Sequence, residues 1–198
     1  MWHHGSVSQP PHPPSGHWQS QPRPPQNRWG QAKTPKWTLP ASPLQRTAVW
    51  FAWLGLLVPV LFVVIRFGTG VAGWITVSYM FFGLVAFGLP QIVLAILVTV
   101  RAEKVRPAAG GPVSSILMLV SYAAHLLAAL VLYDFGDTGP AAPSWLEQVL
   151  GVPETVASVL GVALLLAWAT SHLTAIVFAA IEGSDSALAR AAGQATRR

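Results

Sequence analysis

Residues 75–100 read ITVSYMFFGLVAFGLPQIVLAILVTV, which is 26 consecutive residues without a charged side chain. An α-helix rises about 1.5 Å per residue, so about 20 residues cross the ~30 Å hydrocarbon core of a bilayer. Lipid offers no partner to backbone amides and carbonyls, so a crossing segment must satisfy its own, as a helix does. The stretch predicts a membrane-spanning helix. It lacks the strict polar–apolar alternation of a strand in an outer-membrane barrel.

Three more blocks of the chain are long, apolar and uncharged, at residues 48–65, 113–133 and 156–181. Hydrophobic residues make up 53% of the chain and charged residues only 10%, against about 25% charged in a typical soluble domain. A soluble domain with so few charges would lack the polar groups needed to coat its surface. The sequence therefore predicts an all-α membrane protein in which residues 47–182 form a four-transmembrane-helix bundle.

The two ends of the chain are polar. Residues 1–46 contain ten of the 17 prolines and no acidic residue. Proline fixes φ and lacks a backbone donor, so neither helix nor sheet propagates through such a segment. The segment also buries too little apolar surface to offset its loss of conformational entropy. The composition predicts a disordered, proline-rich N-terminal tail over 1–46 and a shorter C-terminal tail over 183–198.

Basic residues indicate how the four helices are oriented. With four crossings, one side of the membrane holds both tails and the loop around residues 101–106, and this side carries eleven of the 12 Lys and Arg residues. Arg66 alone falls on the opposite side. Because Lys and Arg concentrate in cytoplasmic loops, we expect an integral protein of the plasma (cytoplasmic) membrane with both termini cytoplasmic.

The loop after residue 133 contains a helix signal. Ser144 and Glu147 stand three residues apart, the spacing at which a serine caps a helix N-terminus while the glutamate reaches back to the cap. Apolar residues follow, and Gly151 ends the run. The pattern predicts a short amphipathic helix over about 144–151, lying at the outer membrane interface or forming a structured loop without membrane contact.

Polar side chains inside the predicted spans are the first candidates for a site. Ser121, Tyr122 and His125 share one helix face by their spacing, and Pro90 should kink the helix that contains Gln91. Such groups face a bundle interior, where they line a polar path or hydrogen-bond between helices and fix packing. Packing is favoured, because no charged residue joins them. The candidate intramembrane polar site comprises Gln91, Ser121, Tyr122, His125, Ser171 and His172.

Small residues recur at every fourth position of the last predicted span. Small side chains at this spacing let a second helix approach closely. The approaching helix belongs to the same chain, which is the favoured case, or to another protomer or protein. The predicted helix-packing groove comprises Ala163, Ala167, Ser171, Ala175, Ala179 and Gly183.

The N-terminal tail combines cations, tryptophans and short proline runs. Basic residues beside a membrane attract anionic headgroups at about 1 kcal/mol each, and polyproline segments dock into aromatic grooves of partner proteins. The tail predicts contact with anionic lipid or a partner, unless it is an unselected spacer. It has no folded surface that would read nucleic acid, so none is expected as a partner. The candidate tail residues are Trp18, Arg23, Arg28, Trp29, Lys33, Lys36 and Trp37.

The motifs of the common enzyme classes are missing. The chain has no cysteine, and it contains no phosphate-binding loop, dinucleotide fingerprint, HExxH zinc motif or GxSxG nucleophile elbow. We therefore expect no enzymatic activity, cofactor or metal site.

These features together favour one class of function. The sequence favours a non-enzymatic integral membrane protein that acts as an assembly, scaffold or accessory subunit through helix packing and its cytoplasmic tail. Its partners would be the lipid bilayer and other membrane proteins or a second copy. The alternative is a small transporter or channel subunit that uses His125, His172 and Gln91.

Overall fold

The computed structural model describes residues 37–134 and 143–196. Within them, four helices are long and apolar enough to cross a membrane, which confirms the predicted four-helix membrane fold. Numbered in chain order, the four long helices are α1 (Pro43–Gly68), α2 (Trp74–Lys104), α3 (Pro112–Val131) and α5 (Glu154–Glu182). The two short helices are α4 (Trp145–Leu150) and α6 (Asp185–Ala195).

α1 and α2 are longer than the uncharged blocks that predict them. α1 begins at Pro43 because the Ser42 side chain accepts a bond from the Gln45 amide and the Gln45 side chain reaches back to the Ser42 amide, a complete capping box. At its other end α1 includes Arg66, and α2 continues through Lys104. A charged residue ends an apolar block but need not end a helix, so counting uncharged residues underestimates helix length.

The long helices run up and down, so their ends gather at two levels. Arg66, near the end of α1, pairs with Asp134, which follows α3; we call this level the Asp134 end. Arg101, near the end of α2, donates to the carbonyls of Gly110, before α3, and Glu182, at the end of α5; we call this level the Arg101 end. α3 and α5 make the most extensive contact in the bundle.

Two clusters of buried apolar side chains hold the long helices together. The cluster toward the Arg101 end, here the Met118 layer, is rich in alanine and consists of Ala48, Ala52, Leu94, Ala95, Val98, Met118, Ala175 and Ala179. The cluster toward the Asp134 end, here the Phe62 layer, consists of Phe62, Tyr79, Ala128, Ala129 and Leu132. The alanines let helix backbones approach closely, which favours dispersion contacts where lipid supplies no hydrophobic drive.

Two short strands and α6 form a small end cap at the Arg101 end. β1 (Trp37–Thr38) pairs in parallel with β2 (Val105–Arg106). The strands and α6 share an apolar cluster made of Leu39, Val105, Ala109 and Leu188. The end cap thus gathers three segments that are far apart in the chain.

Composition assigns residues 37–46 and 183–198 to tails, yet these stretches hold β1, the first turn of α1, and α6. The reason is that Leu39 and Leu188 lose nearly all of their solvent exposure in the end-cap cluster. Isolated leucines in a polar segment leave no periodic signal in the sequence. Residues 1–36 lie outside the described residues, so disorder there stays a prediction.

α4 lies within the stretch 144–151 that the sequence predicts to be helical. Ser144 accepts a bond from the Glu147 amide and the Glu147 side chain reaches back, so the capping box is present. Gly151 ends the helix with φ of 63°, a left-handed conformation that favours glycine because glycine has no Cβ. Contact of α4 with a membrane interface stays a prediction.

Candidate functional site

Side chains from α2 and α3 bond to the backbone of α1 where α1 is irregular. Residues Gly55–Leu57 form a 3₁₀ turn within α1. Gln91 Nε2 donates to the carbonyl of Ala52 and lies 2.6 Å from the hydroxyl of Tyr122. Tyr122 donates to the carbonyl of Phe51 at 3.2 Å. Donors from neighbouring helices thus bond to main-chain carbonyls of α1 just before the irregular stretch. Such bonds are how a break in a helix is tolerated inside lipid.

Gly55 permits this close approach. A Cβ added at Gly55 would overlap both the Tyr122 hydroxyl and the Gln91 amide. Gln91 is only 2% exposed, so its amide cannot move aside into solvent. Gly55, Gln91 and Tyr122 therefore join α1, α2 and α3 at one point in the middle of the bundle.

A π-helical turn in α2 places Tyr79 against α3. The turn covers Tyr79–Gly83, and the Tyr79 ring lies over Gly83, where a Cβ would clash with it. The Tyr79 hydroxyl lies 2.8 Å from His125 Nε2. Single π turns inside α-helices occur often at functional sites, so this irregularity marks the region around His125 as a candidate.

Four aromatic rings surround His125, which is 1% exposed. Its ring makes edge contacts with Phe62, Tyr79, Phe87 and Trp168, at centroid distances of 5.0–5.8 Å and interplanar angles of 66–88°. Aromatic faces carry partial negative charge and attract cations. Burial among these rings disfavours the charged form of the imidazole, and the attraction of ring faces for a cation can offset only part of that cost.

His172 approaches the same region from α5. Its ring stacks on Trp168 at a centroid distance of 5.7 Å, and its Nδ1 lies 3.3 Å from Ser121 Oγ. The Ser121 hydroxyl also donates to the Met118 carbonyl at 2.7 Å. The other ring nitrogen, Nε2, faces the backbone of Pro90 without a hydrogen bond of standard geometry.

The two imidazoles share one small cavity. Its volume is about 10 Å³, close to the space that one water molecule requires. His125 Nδ1 and His172 Nε2 are buried and have no hydrogen-bond partner among the described residues. An unpaired buried polar atom costs about 1–3 kcal/mol. The cavity, here the polar centre, is lined by Gly55, Val58, Pro59, Phe87, Gln91, Tyr122, His125, Trp168 and His172.

Most of the predicted intramembrane residues come together in the polar centre. Gln91, Tyr122, His125 and His172 line its cavity, and Ser121 bonds to His172. Ser171 is separate, because its hydroxyl bonds to two carbonyls of its own helix.

Sequence reasoning does not single out Tyr79 and Trp168. Both contact His125, yet aromatic residues are common in spanning helices. What could have indicated them is the polar atom on each ring, because a buried Tyr hydroxyl or Trp N–H usually needs a hydrogen-bond partner.

The predicted groove on α5 divides between two faces. Ser171, Ala175 and Ala179 are buried, whereas Ala163 and Ala167 are exposed and Gly183 is half-buried. A helix turns about 100° per residue, so a strict four-residue repeat drifts by about 40° at each step. Part of the groove is therefore occupied by the rest of the bundle, and part of it faces outward.

The predicted tail site falls almost wholly outside the described residues. Trp37 lies in β1 and packs against the end-cap cluster. The other six residues lie outside the described part of the chain, namely Trp18, Arg23, Arg28, Trp29, Lys33 and Lys36. The tail's role stays a prediction.

Sequence reasoning also misses an ion pair at the Asp134 end. The side chains of Arg66 and Asp134 are fully buried, with 2.8 Å between Nη2 and Oδ2. The Asp134 carboxylate also accepts bonds from the amides of Gly73, Ile75 and Thr76 and from the Thr76 hydroxyl. It therefore caps the N-terminus of α2, where the helix dipole favours negative charge.

Arg66 completes this network by donating to the carbonyls of Ala129 and Leu132 at the end of α3. Burial alone would raise the pKa of the Asp134 carboxyl, but the bonds from Arg66, Ile75 and their neighbours outweigh burial and hold that pKa below its ordinary value. The network joins the ends of α1, α2 and α3, and its charges are satisfied within the protein. It is a structural clamp.

Charged residues also cap helices at the Arg101 end. The Glu182 carboxylate, at the end of α5, accepts bonds from the amides of Val113 and Ser114 and from the Ser114 hydroxyl, at the start of α3. Arg101 donates to main-chain carbonyls at the end of α5 and before α3. Both ends of the bundle are thus held by one charged residue that caps a neighbouring helix.

Within the described residues, no group of three or more His, Asp or Glu side chains is placed to hold a metal ion. Comparison with protein-family models, curated proteins and solved structures finds no match to this chain. The polar centre and the helix surfaces are therefore the basis on which a function can be proposed.

Proposed function

We propose that the protein is a non-enzymatic integral membrane protein, a small transporter or channel subunit, that passes protons through the polar centre. The observation that carries this proposal is that His125 and His172 each present an unpaired ring nitrogen and both line one cavity between the helices. The second nitrogen of each ring is hydrogen-bonded, but the unpaired nitrogen costs about 1–3 kcal/mol at each position. Ionisable side chains within membrane helices are typical of ion and proton pathways.

A proton suits the polar centre better than a larger cargo. The cavity of about 10 Å³ holds at most about one water molecule. Metal cations need several ligands at once, and the charged residues of the long helices lie near the helix ends. Protonation of an imidazole needs no added space, and one water in the cavity would relay a proton between the two nitrogens.

The groups around each imidazole offset part of the cost of a transient positive charge. A proton that arrives on His172 Nε2 meets the carbonyl of Pro90, while Nδ1 keeps its bond to Ser121. At His125, the surrounding rings supply cation–π attraction of about 0.5–2 kcal/mol. These contacts offset part of the cost of placing a charge in hydrocarbon.

The two apolar layers separate the polar centre from both membrane surfaces. The Met118 layer lies toward the Arg101 end and the Phe62 layer toward the Asp134 end. Conduction therefore requires each layer to open in turn, as in alternating access. The 3₁₀ turn of α1 and the π turn and Pro90 of α2 border the centre, and such breaks are where helices bend.

The proposed orientation puts both termini in the cytoplasm and the protein in the plasma membrane. Its support is the basic bias of the Arg101 end, which together with both tails carries eleven of the 12 Lys and Arg residues. The proton path would then run from the Asp134 end, outside, to the Arg101 end, inside, or the reverse.

Proton flux into proteoliposomes tests the proposal. Vesicles with a trapped pH dye receive a potassium diffusion potential, and proton entry is compared between wild type, His125→Phe, His172→Phe and empty vesicles. The control is Tyr122→Phe, which removes a hydroxyl bonded to Gln91 but no imidazole. Wild type should exceed empty vesicles at least tenfold, each histidine variant should fall to background, and Tyr122→Phe should keep at least half of the rate.

The same variants separate transport from packing. Histidine to phenylalanine removes an unpaired nitrogen but also removes the bond of the other ring nitrogen to Tyr79 or Ser121. The two effects oppose each other, so both variants should remain folded in detergent, with stabilities within about 1–3 kcal/mol of wild type. If their proton flux equals that of wild type, or if wild type is no faster than empty vesicles, the proposal is wrong.

A second candidate function, an assembly, scaffold or accessory subunit, is favoured by the outward face of α5. Along the whole of α5, exposed residues recur at spacings of four and three in turn. This is the spacing at which two packed helices meet along a seam. Small residues near its middle permit close approach. This seam consists of Val156, Leu160, Ala163, Ala167, Thr170, Thr174, Val177 and Ile181. The proposed occupant is the same face of a second copy, with the N-terminal tail on anionic lipid.

Cysteine crosslinking tests the second candidate, because the chain has no cysteine of its own. In native membranes treated with an added oxidant such as copper–phenanthroline, Ala167→Cys should form disulfide-linked dimers, whereas Val93→Cys, exposed on α2, should not. Adding Ala163→Leu should block the dimer. Equal crosslinking at both cysteines, or none at Ala167→Cys, would argue against self-association. Deletion of residues 1–36 should weaken binding to anionic vesicles.

A further inference from the structure

The end cap borders a second, larger cavity beside Arg101 that is partly open to solvent. Its volume is about 250 Å³, below the ~300–1,000 Å³ of typical small-molecule sites. It lies between the approach to α1, the start of α3 and the last turns of α6. Its lining includes Pro40, Gln45, Arg101, Pro112, Gln194 and Ala195.

Arg101 presents one free nitrogen at this cavity. The residue is 7% exposed, and its guanidinium stays charged at any pH a protein meets. Nε and Nη1 donate to the carbonyls of Glu182, Ala109 and Gly110. Nη2 makes no hydrogen bond within the part of the chain that the structure describes, and Arg101 lines the cavity. A charged donor at a cavity wall with one nitrogen left over can bind an acceptor from outside the protein.

The other polar side chains on the cavity wall are amides. Gln45 Oε1 accepts a bond from the Ser42 amide, which leaves Nε2 to donate, and Gln194 supplies a second amide. Among the described residues, no carboxylate lines the cavity; the Glu182 carboxylate bonds to the start of α3 and offsets part of the Arg101 charge from there. Three donor groups without an acidic side chain favour an anion.

We propose that this cavity binds a phosphate group, with Arg101 as its charged ligand and the amides of Gln45 and Gln194 as neutral donors. Arginine suits phosphate because its planar guanidinium is weakly hydrated and donates in a fixed geometry. Arg101 lies near the end of a spanning helix, the level at which lipid headgroups lie. The described part of the Arg101 end carries five basic and three acidic side chains, which also favours an anion.

Binding measurements on the purified full-length protein in a phosphate-free detergent test the proposal. The probes are inorganic phosphate, by equilibrium dialysis, and dihexanoyl phosphatidylglycerol, by calorimetry, with dihexanoylglycerol as the phosphate-free control. Ala195→Phe, which adds a phenyl ring at the cavity wall, and Arg101→Lys, which keeps the charge but lacks Nη2, should each weaken binding at least tenfold. Arg106→Gln, an exposed arginine at the same end, should change affinity less than twofold.

The two probes distinguish the sources of the phosphate group. Binding of the lipid without displacement by inorganic phosphate supports a headgroup ligand, and displacement supports a free phosphate compound. Equal affinity in wild type and Ala195→Phe, or binding of neither probe, overturns the proposal. Ala195→Phe leaves the bonds of Arg101 intact, so its result does not depend on whether Arg101→Lys folds. Proton flux should be unchanged in Ala195→Phe, so this proposal and the proposed transport fail independently.

Discussion

Replacing Asp134 with alanine should destabilise the bundle by about 3–5 kcal/mol. The carboxylate accepts bonds from Arg66, from the Thr76 side chain and from three amides at the start of α2. Alanine would leave the fully buried guanidinium of Arg66 without its counter-charge. Removing one partner of a buried ion pair typically costs about 3–5 kcal/mol, most of it the cost of the uncompensated charge.

Two further variants separate charge from capping. Asp134→Asn keeps the shape and one acceptor, but its NH₂ group would oppose a donor such as the Ile75 amide, 2.7 Å from Oδ1. We expect a loss of about 1.5–3 kcal/mol, the value of a hydrogen bond to a charged group. The double variant Arg66→Leu, Asp134→Leu leaves no buried charge. Its loss in free energy of unfolding should be smaller, by about 0.5–3 kcal/mol, than the sum of the losses in the two single variants.

Unfolding of the purified protein by SDS in mixed micelles, followed by tryptophan fluorescence, measures these free energies. The control is Asp185→Ala, which removes an exposed partner of Lys104 and should cost no more than about 1 kcal/mol. A loss below about 1 kcal/mol for Asp134→Ala, or strict additivity in the double variant, would refute the reasoning.

The pH dependence of stability gives an independent check on the same network. Because the native pKa of Asp134 lies below its ordinary value, its contribution is fully present above the unfolded pKa of about 3.9. The contribution is lost as pH falls through the lower native pKa. The free energy of unfolding of wild type should fall as the pH is lowered through this range. The fall should be smaller in Asp134→Asn.

Three further outcomes follow from the packing and the orientation. Gly55→Ala should cost about 1–3 kcal/mol by overpacking, because its Cβ would overlap the side chains of α2 and α3 that bond there. Gly88→Ala, where a Cβ meets no atom within 4 Å, should be neutral or stabilising by up to about 1 kcal/mol; SDS unfolding compares the two. A membrane-impermeant maleimide on intact cells should label Ala72→Cys, whereas Arg106→Cys should react only after permeabilisation. Leu188→Ala should weaken docking of α6 by about 2–5 kcal/mol, seen as faster amide exchange confined to the end cap.

The four long helices are predictable from the sequence because lipid imposes one rule on every crossing segment. Their ends are not, since α1 begins at a capping box before Arg46 and α2 continues through Lys104. The 3₁₀ turn at Gly55–Leu57 does have a signature, because Pro59 lacks the amide that would bond to the Gly55 carbonyl. The π turn at Tyr79–Gly83 has no such signature and depends on packing against other helices, which one sequence does not reveal.

The polar centre is partly predictable for a related reason. Polar groups are rare in spanning helices, so His125, His172 and Gln91 stand out, and they do line one cavity. Arg66 and Asp134 do not stand out as a pair, because 68 positions separate them and charges at helix ends are common. A sequence indicates which groups are expensive to bury, and the fold decides which of them find partners.

The bundle differs in regularity from one side to the other, and this difference indicates how the polar centre would open. α3 and α5 are uninterrupted helices in extensive contact, whereas α1 and α2 each contain an irregular turn beside the centre. The charged caps at both ends hold all four helices. Opening of either apolar layer is therefore expected to bend α1 and α2 against a fixed α3–α5 pair. Amide exchange measured in nanodiscs should be faster at the two irregular turns than at the same depth in α3 and α5. Equal protection of the amides from exchange in all four long helices would contradict the proposed bending of α1 and α2.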